Sequence, residues 1–183
     1  MTIVKPFRFS VPCALVLALA ASAAWGQANL RDQALDAMKR AAVFYHDRVS
    51  TRGGYLIEYT ADLKVRFGEL PARESQIWVQ NPSTPGVGEA FLAAFKATGD
   101  SLYLKYACDA ARALVWGQMD CGGWNYLVDF RAGSLETWYE EIKVHTDYDE
   151  FMHFHGNATF DDGVTADATR LLLRLYEIGR AHV

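Results

Sequence analysis

The chain reads as an all-α fold, an incomplete (α/α) toroid of helical hairpins truncated at its C-terminal end. Three observations predict that class. A helical run ends twice in a Gly-Gly-aromatic corner, at Arg52-Gly53-Gly54-Tyr55 and at Cys121-Gly122-Gly123-Trp124-Asn125-Tyr126. Each corner leads into an extended stretch, Leu56-Ile57-Glu58-Tyr59 and Leu127-Val128-Asp129-Phe130. The openings Gly86-Val87-Gly88-Glu89-Ala90 and Gly163-Val164-Thr165-Ala166 also look alike, as equivalent helices of successive repeats would. Repeats of this kind gather their loops on one face, and binding residues tend to lie there.

The N-terminal stretch stands apart from the fold. Lys5 and Arg8 precede an apolar run from residue 11 to residue 20, and small residues follow at Ala21, Ser22, Ala23 and Ala24. That is the layout of a secretory signal peptide, assigned here to residues 1–26. Its apolar run is too short for an anchor, which needs roughly 20 residues. The expected location is therefore secreted or periplasmic, with no membrane association after cleavage.

The first helix of the fold places Leu35, Met38, Ala42, Tyr45 and Val49 on one face, in steps of three and four. It stops before Gly53-Gly54. Residues 55–86 then read as loop, because Pro82, Pro85 and Gly86 interrupt any helical period. A second helix is predicted over 87–98, with Val87, Phe91, Leu92 and Phe95 inward. Gly99 suits its left-handed C-terminal residue, and Asp100 or Ser101 caps the next helix. That third helix, over 102–119, turns Tyr103, Ala107, Ala110 and Leu114 inward. Residues 87–119 are thus an antiparallel hairpin with a minimal turn.

Residues 127–157 show no clean helical period, and an irregular segment of that length is often functional. It mixes Glu136, Glu140, Glu141, Asp147, Asp149 and Glu150 with Trp138, Tyr139, Tyr148 and Phe151. The last helix opens after Thr159-Phe160-Asp161-Asp162, with Val164, Ala168, Leu171, Leu172 and Leu175 inward. Residues 178–183 match one reading frame of a common sequencing adapter whose next codon is a stop. They read as an artefact rather than as a natural helix end capped by Gly179, so the natural chain is expected to continue past Glu177.

Composition narrows the function. Setting aside Lys5, Arg8 and Arg180 leaves 15 of the 18 basic residues against 22 acidic ones, a balance of −7. That excludes nucleic acid as the expected partner, but not an anionic polymer held through a cation. Cys108 falls in mid-helix and Cys121 beyond its end, roughly 15 Å or more apart along the axis, so two free thiols are expected rather than a disulfide.

Several residues could carry chemistry. Asp161 and Asp162, at a helix start, can cap its free N–H groups or offer carboxylate oxygens to calcium, which takes six to eight of them. His153 and His155 could join a carboxylate around a transition metal, or be two ordinary loop histidines. Trp78, Trp124, Tyr126 and Trp138, at helix ends or in loops, can stack on sugar rings or fill the space between helix layers. No serine nucleophile elbow, phosphate loop or paired-cysteine motif is present.

Over nearly all of residues 34–175 the chain resembles the pectate lyases of polysaccharide lyase family 10. The likeness runs through Arg52-Gly53-Gly54-Tyr55, Phe91-Leu92-Ala93 with Thr98-Gly99-Asp100, residues 106–123, and Ala158-Thr159-Phe160-Asp161-Asp162. The last segment is the most specific. The resemblance implies a mostly helical toroid that cleaves polygalacturonate by β-elimination with calcium. The cation would stabilise charge developing on the uronate as its C5 proton leaves. Residues 27–177 would be the front part of that catalytic domain. The resemblance places Asp162 at an acidic position of the site. It places Asn81 where the family has an aspartate that helps hold calcium and substrate. The family's base is an arginine beyond the segment matched by Glu177, so no catalytic residue is assigned here and the chain alone is expected to be inactive. Two other readings compete. A toroidal hydrolase would need two carboxylates about 5–10 Å apart, and Asp129 with Asp162 is the pair to try. A non-catalytic pectin-binding protein is the other, favoured by the neutral Asn81.

Overall fold

Glycine sets both predicted corners. Gly53 has φ 87° and Gly122 φ 90°, the left-handed region where a side chain is strained. The glycine after each lies against a neighbour. A Cβ at Gly54 would meet the Ile77 side chain at 2.5 Å, and one at Gly123 would meet Ala158 Cβ at 2.7 Å. Each corner then delivers its aromatic residue, Tyr55 or Trp124, into the interior.

These statements rest on a computed structural model that describes residues 13–146 and 156–181, with side chains for residues 29–143 and 156–179. His153, His155, Asp147, Asp149, Glu150 and the first twelve residues of the expected leader lie outside the described residues. The chain divides at Ala41/Ala42 into two units. Helix α1 spans Cys13–Phe44, and a π-helical turn, Tyr45–Val49, follows it. Among the described residues no helix is long and apolar enough to cross a membrane. The predicted inward stripe holds only at Ala42 and Val49; Leu35 and Tyr45 are exposed and Met38 is half-buried. The π turn takes one residue more than a regular turn, so Val49 faces inward where a strict helical period would place its neighbour.

The second unit is mostly helical, which agrees with the predicted class only coarsely, because it also carries two small sheets. Strands β1 (Glu58–Tyr59) and β2 (Arg66–Phe67) form an antiparallel pair. Strands β3 (Gln76–Trp78) and β4 (Leu127–Asp129) form another, with Gln76 opposite Asp129 and Trp78 opposite Leu127. β4 falls in the second stretch read as extended, whereas β3 lies in a segment read as loop. Gln76, Ile77 and Trp78 are all buried, so β3 lacks the alternation that marks a half-exposed strand.

Helix α2 spans Thr84–Thr98 and starts three residues earlier than predicted. Pro85 does not forbid this, since a proline in the first turn lacks only an N–H that would be unpaired anyway. Gly99 ends α2 with φ 74°, and Asp100 caps α3 (Ser101–Trp116) by accepting from Leu102 N at 3.0 Å. Tyr103, Ala107, Ala110 and Leu114 are buried, as their spacing predicts. Helix α5 (Val164–Ala181) packs on both α2 and α3. Gly88 allows the approach, for a Cβ there would lie 2.4 Å from Leu171 and 3.2 Å from Ala110.

One predicted irregular segment is a helix. α4 spans Ser134–Thr146 and buries Trp138, Tyr139 and Ile142. Their spacing of one and four is helical, but the interleaved Glu136, Glu140 and Glu141 mask it. Arg73 fixes the helix by donating to the Ser134 carbonyl at 2.9 Å and to Glu141 at 2.5 Å. Cys108 and Cys121 are free, as expected.

Candidate functional site

The turn before α5 is built by threonines. Thr159 N donates to the Trp124 carbonyl at 2.8 Å, and Thr165 Oγ1 donates to the Thr159 carbonyl at 2.7 Å. Thr159 Oγ1 then accepts from Asp161 N at 3.0 Å. The first corner has a parallel arrangement. Thr84 Oγ1, at the start of α2, accepts from Tyr55 N at 2.9 Å, just as Thr165 Oγ1 accepts from Trp124 N at 3.2 Å. A helix-start threonine thus ties each aromatic corner to the helix it faces.

Between Thr159 and α5 lies a 3₁₀ turn, Asp161–Gly163. Neither aspartate caps α5 as the sequence suggested. Asp161 Oδ1 accepts from Asp162 N at 3.0 Å. Asp162 has left-handed backbone angles, φ 46° and ψ 23°, a conformation an aspartate tolerates better than most residues. Its carboxylate therefore turns to the loop before α2. Oδ2 accepts from Gln80 Nε2 at 3.3 Å and from the Tyr126 hydroxyl at 3.2 Å. Both Asp161 and Asp162 are exposed, and among the described residues Asp162 Oδ1 carries no hydrogen bond.

Gln80 is oriented from below. Its Oε1 accepts the Trp78 indole N–H at 3.0 Å, which leaves the amide nitrogen for Asp162. Burial, then the neighbouring Asp162 and Asp161 carboxylates, raise the Tyr126 phenol above the ordinary tyrosine range. It stays protonated and donates. Asn81, the next residue, is exposed and donates from Nδ2 to Asp167 Oδ2 at 2.5 Å. The other oxygen of Asp167 pairs with Arg170.

The loop before α2 thus reaches the turn before α5 at Gln80–Asp162 and α5 itself at Asn81–Asp167. The structure corrects the aromatic part of the prediction. Trp78, Trp124 and Tyr126 are 0%, 2% and 3% exposed, so none offers a ring face to a sugar. Trp124 donates its indole N–H to the Leu114 carbonyl at 2.7 Å, and the Trp78 and Tyr126 rings pack 5.9 Å apart. Trp78 and Tyr126 support Gln80 and Asp162 through their N–H and O–H groups. Trp138 is likewise buried, with its N–H on the Pro71 carbonyl. The exposed ring at this turn is Phe160, at 83%.

Asp129 does not partner Asp162. It is buried and accepts from Gln76 Nε2 at 2.9 Å and Arg131 N at 3.0 Å. It is also three residues from Tyr126 along an extended segment, hence on the opposite face. Its bonds close the end of the β3–β4 pair.

Sequence reasoning missed Gln80, Asp167 and Thr165. Gln80 adjoins Asn81 ahead of Pro82, so two neighbouring loop amides were the available signal. Asp167 looked like an ordinary first-turn acid.

The donor set bears on calcium. Among the described residues no three His, Cys, Asp or Glu side chains gather to hold a metal ion. Asp167 is already engaged at both oxygens, and Asp161 and Asp162 fall short of six to eight ligands. These residues do not fit a caged calcium. No protein-family model matches this chain, and neither a curated protein nor a solved structure matches it.

Proposed function

We propose that this chain is the polygalacturonate-binding portion of an exported pectate lyase-like protein, an incomplete toroid whose Asp162 carboxylate faces the polymer through a shared calcium ion. The observation that supports the reading best is Asp162 itself. It is exposed, backed by Gln80 and Tyr126, and keeps Oδ1 uncommitted. A carboxylate that merely capped α5 would bond to the helix N–H groups instead. The site is acidic, so it can approach an acidic polymer only through a cation. A bound calcium would neutralise the uronate carboxylate and so stabilise the charge left when the C5 proton departs.

The chain's own residues bind and orient. Asp162 faces the ion, Tyr126 and Gln80 hold its carboxylate in place, and Asn81 Oδ1 offers a neutral acceptor beside it. Phe160 supplies the exposed ring for a sugar face, the role first assigned to the tryptophans. No arginine of this chain is assigned as base, so binding without turnover is the expected behaviour. Asn81, neutral where the resembled family carries charge, also supports a second reading, a pectin-binding protein without catalysis.

The test is titration of the chain with polygalacturonate, with calcium and with chelator, while absorbance follows unsaturated product. Calcium-dependent binding supports the reading. Release of reducing ends without the double bond would mean a hydrolase, and absence of binding would remove the proposal.

A further inference from the structure

We infer that Asn81 and Asp167 are a matched pair, in which Asp167 carries the charge and acts as a positioning residue for the Asn81 amide at the proposed site. The pair's place at a ligand site rests on the reading above; its coupling does not.

Two neighbouring amides meet two aspartates here. Gln80 donates to Asp162 and Asn81 donates to Asp167, whose side chain is only 12% exposed. A carboxylate accepts and cannot donate unless protonated, so an amide nitrogen is its natural counterpart. Aspartate at 81 would set two carboxylates about 2.5 Å apart beside the largely covered Asp167, where each disfavours the charge on the other. Negative charge at 81 and at 167 is therefore mutually disfavoured.

The surrounding backbone is cut to the pair. A Cβ at Gly86 would come within 2.5 Å of Asn81 Oδ1, and one at Gly163 within 3.2 Å of Asp167 Oδ2. Arg170, one turn along α5, holds the second oxygen of Asp167. Both oxygens of Asp167 are thus engaged within the chain. Asp167 fixes Asn81 Nδ2, and the amide oxygen lies beside Gly86. The neutral residue at 81 moves the charge to 167 rather than removing it.

The test compares four chains: parent, Asn81→Asp, Asp167→Asn and the exchange of both. Melting temperature is measured from neutral pH into the carboxylate range without ligand, and polygalacturonate affinity is measured with calcium. Asn81→Asp is expected to melt about 2–4 °C below the parent at neutral pH. The gap should close on acidification, because a protonated carboxyl at 81 donates as the amide did. A purely steric role would not follow pH. The exchange should recover at least half of the loss at neutral pH, and it also decides the matter should the single variant not fold. Strictly additive effects, or a pH-independent deficit, would overturn the inference. A coupled pair in a chain that binds no polygalacturonate would sink the functional reading alone. Additive effects in a chain that binds it would sink the pair alone.

Discussion

Gln80 Nε2 lies 3.3 Å from Asp162 Oδ2, while Gln80 Oε1 takes the indole N–H of Trp78. A fully buried ring thereby orients an exposed carboxylate through one side chain. Gln80→Leu removes both bonds. The Trp78 N–H loses its acceptor, at a cost of about 1–3 kcal/mol. Asp162 loses a support, so polygalacturonate binding should weaken several-fold. Gln80→Glu keeps an acceptor for Trp78 but places a second carboxylate against Asp162. It should retain more stability than the leucine variant in urea titration and bind no better.

The two corners make a differential prediction. A Cβ at Gly53 would lie 2.5 Å from the carbonyl oxygen of Asp109, whereas one at Gly122 meets nothing within 4 Å. Both glycines have positive φ. Gly122→Ala should cost only the left-handed strain, about 1–2 kcal/mol. Gly53→Ala must also displace α3 backbone and should cost at least about 3 kcal/mol. Equal losses in chemical unfolding would contradict the packing described for the first corner.

His46 joins the π-helical turn to α3. Its Nε2 is 3.1 Å from Asp109 Oδ2, its Nδ1 is 2.7 Å from Asp47 Oδ1, and its ring stacks on Tyr106 at 3.8 Å. Burial opposes the charge on Asp109, but the bond from His46 and the charges of Lys105 and Arg112 outweigh it and hold the carboxyl below its usual value. A lowered value in the folded state means stability that is present at neutral pH and lost as pH falls through the carboxylate range. Asp109→Asn should therefore be about 1–2 kcal/mol less stable near pH 7, with a shallower acid limb in thermal melts. The acid limb that remains belongs in part to Asp129, whose carboxyl is also held low, against burial, by hydrogen bonds led by the Arg131 N–H.

Phe160 contributes little to the core, being 83% exposed. Phe160→Ala should leave the melting temperature unchanged and weaken polysaccharide binding. Phe160→Trp should retain binding and add an emission signal that shifts when a sugar covers the ring. A melting temperature that falls with Phe160→Ala while binding stays intact would assign the ring to packing.

Much of this arrangement was legible in the sequence. Gly99 announced its positive φ as the residue ending a helix, and Gly53 and Gly122 announced corners. The α2–α3 hairpin followed from period and capping. Other features were hidden for physical reasons. Helix α4 keeps only Trp138, Tyr139 and Ile142 as a buried stripe among acids. Strand β3 is buried throughout and shows no alternation. Of the tryptophans placed at helix ends or in loops, Trp124 does lie between elements, whereas Trp78 ends strand β3 and Trp138 sits within α4; such a position does not fix which way a ring points. Asp162 was expected to offer its oxygens to α5 or to a ligand, and the long-range bonds from Gln80 and Tyr126 turn one of them away from α5. Such bonds span 82 and 36 residues and leave no local pattern.

The most direct measurement compares calcium-dependent polygalacturonate affinity of the parent with that of Asp162→Asn, which keeps the shape and removes the charge. The account predicts at least about a tenfold loss, corresponding to about 1.4 kcal/mol, with an unchanged melting temperature. Equal affinity in the two chains, or parent binding that is indifferent to calcium, would contradict it.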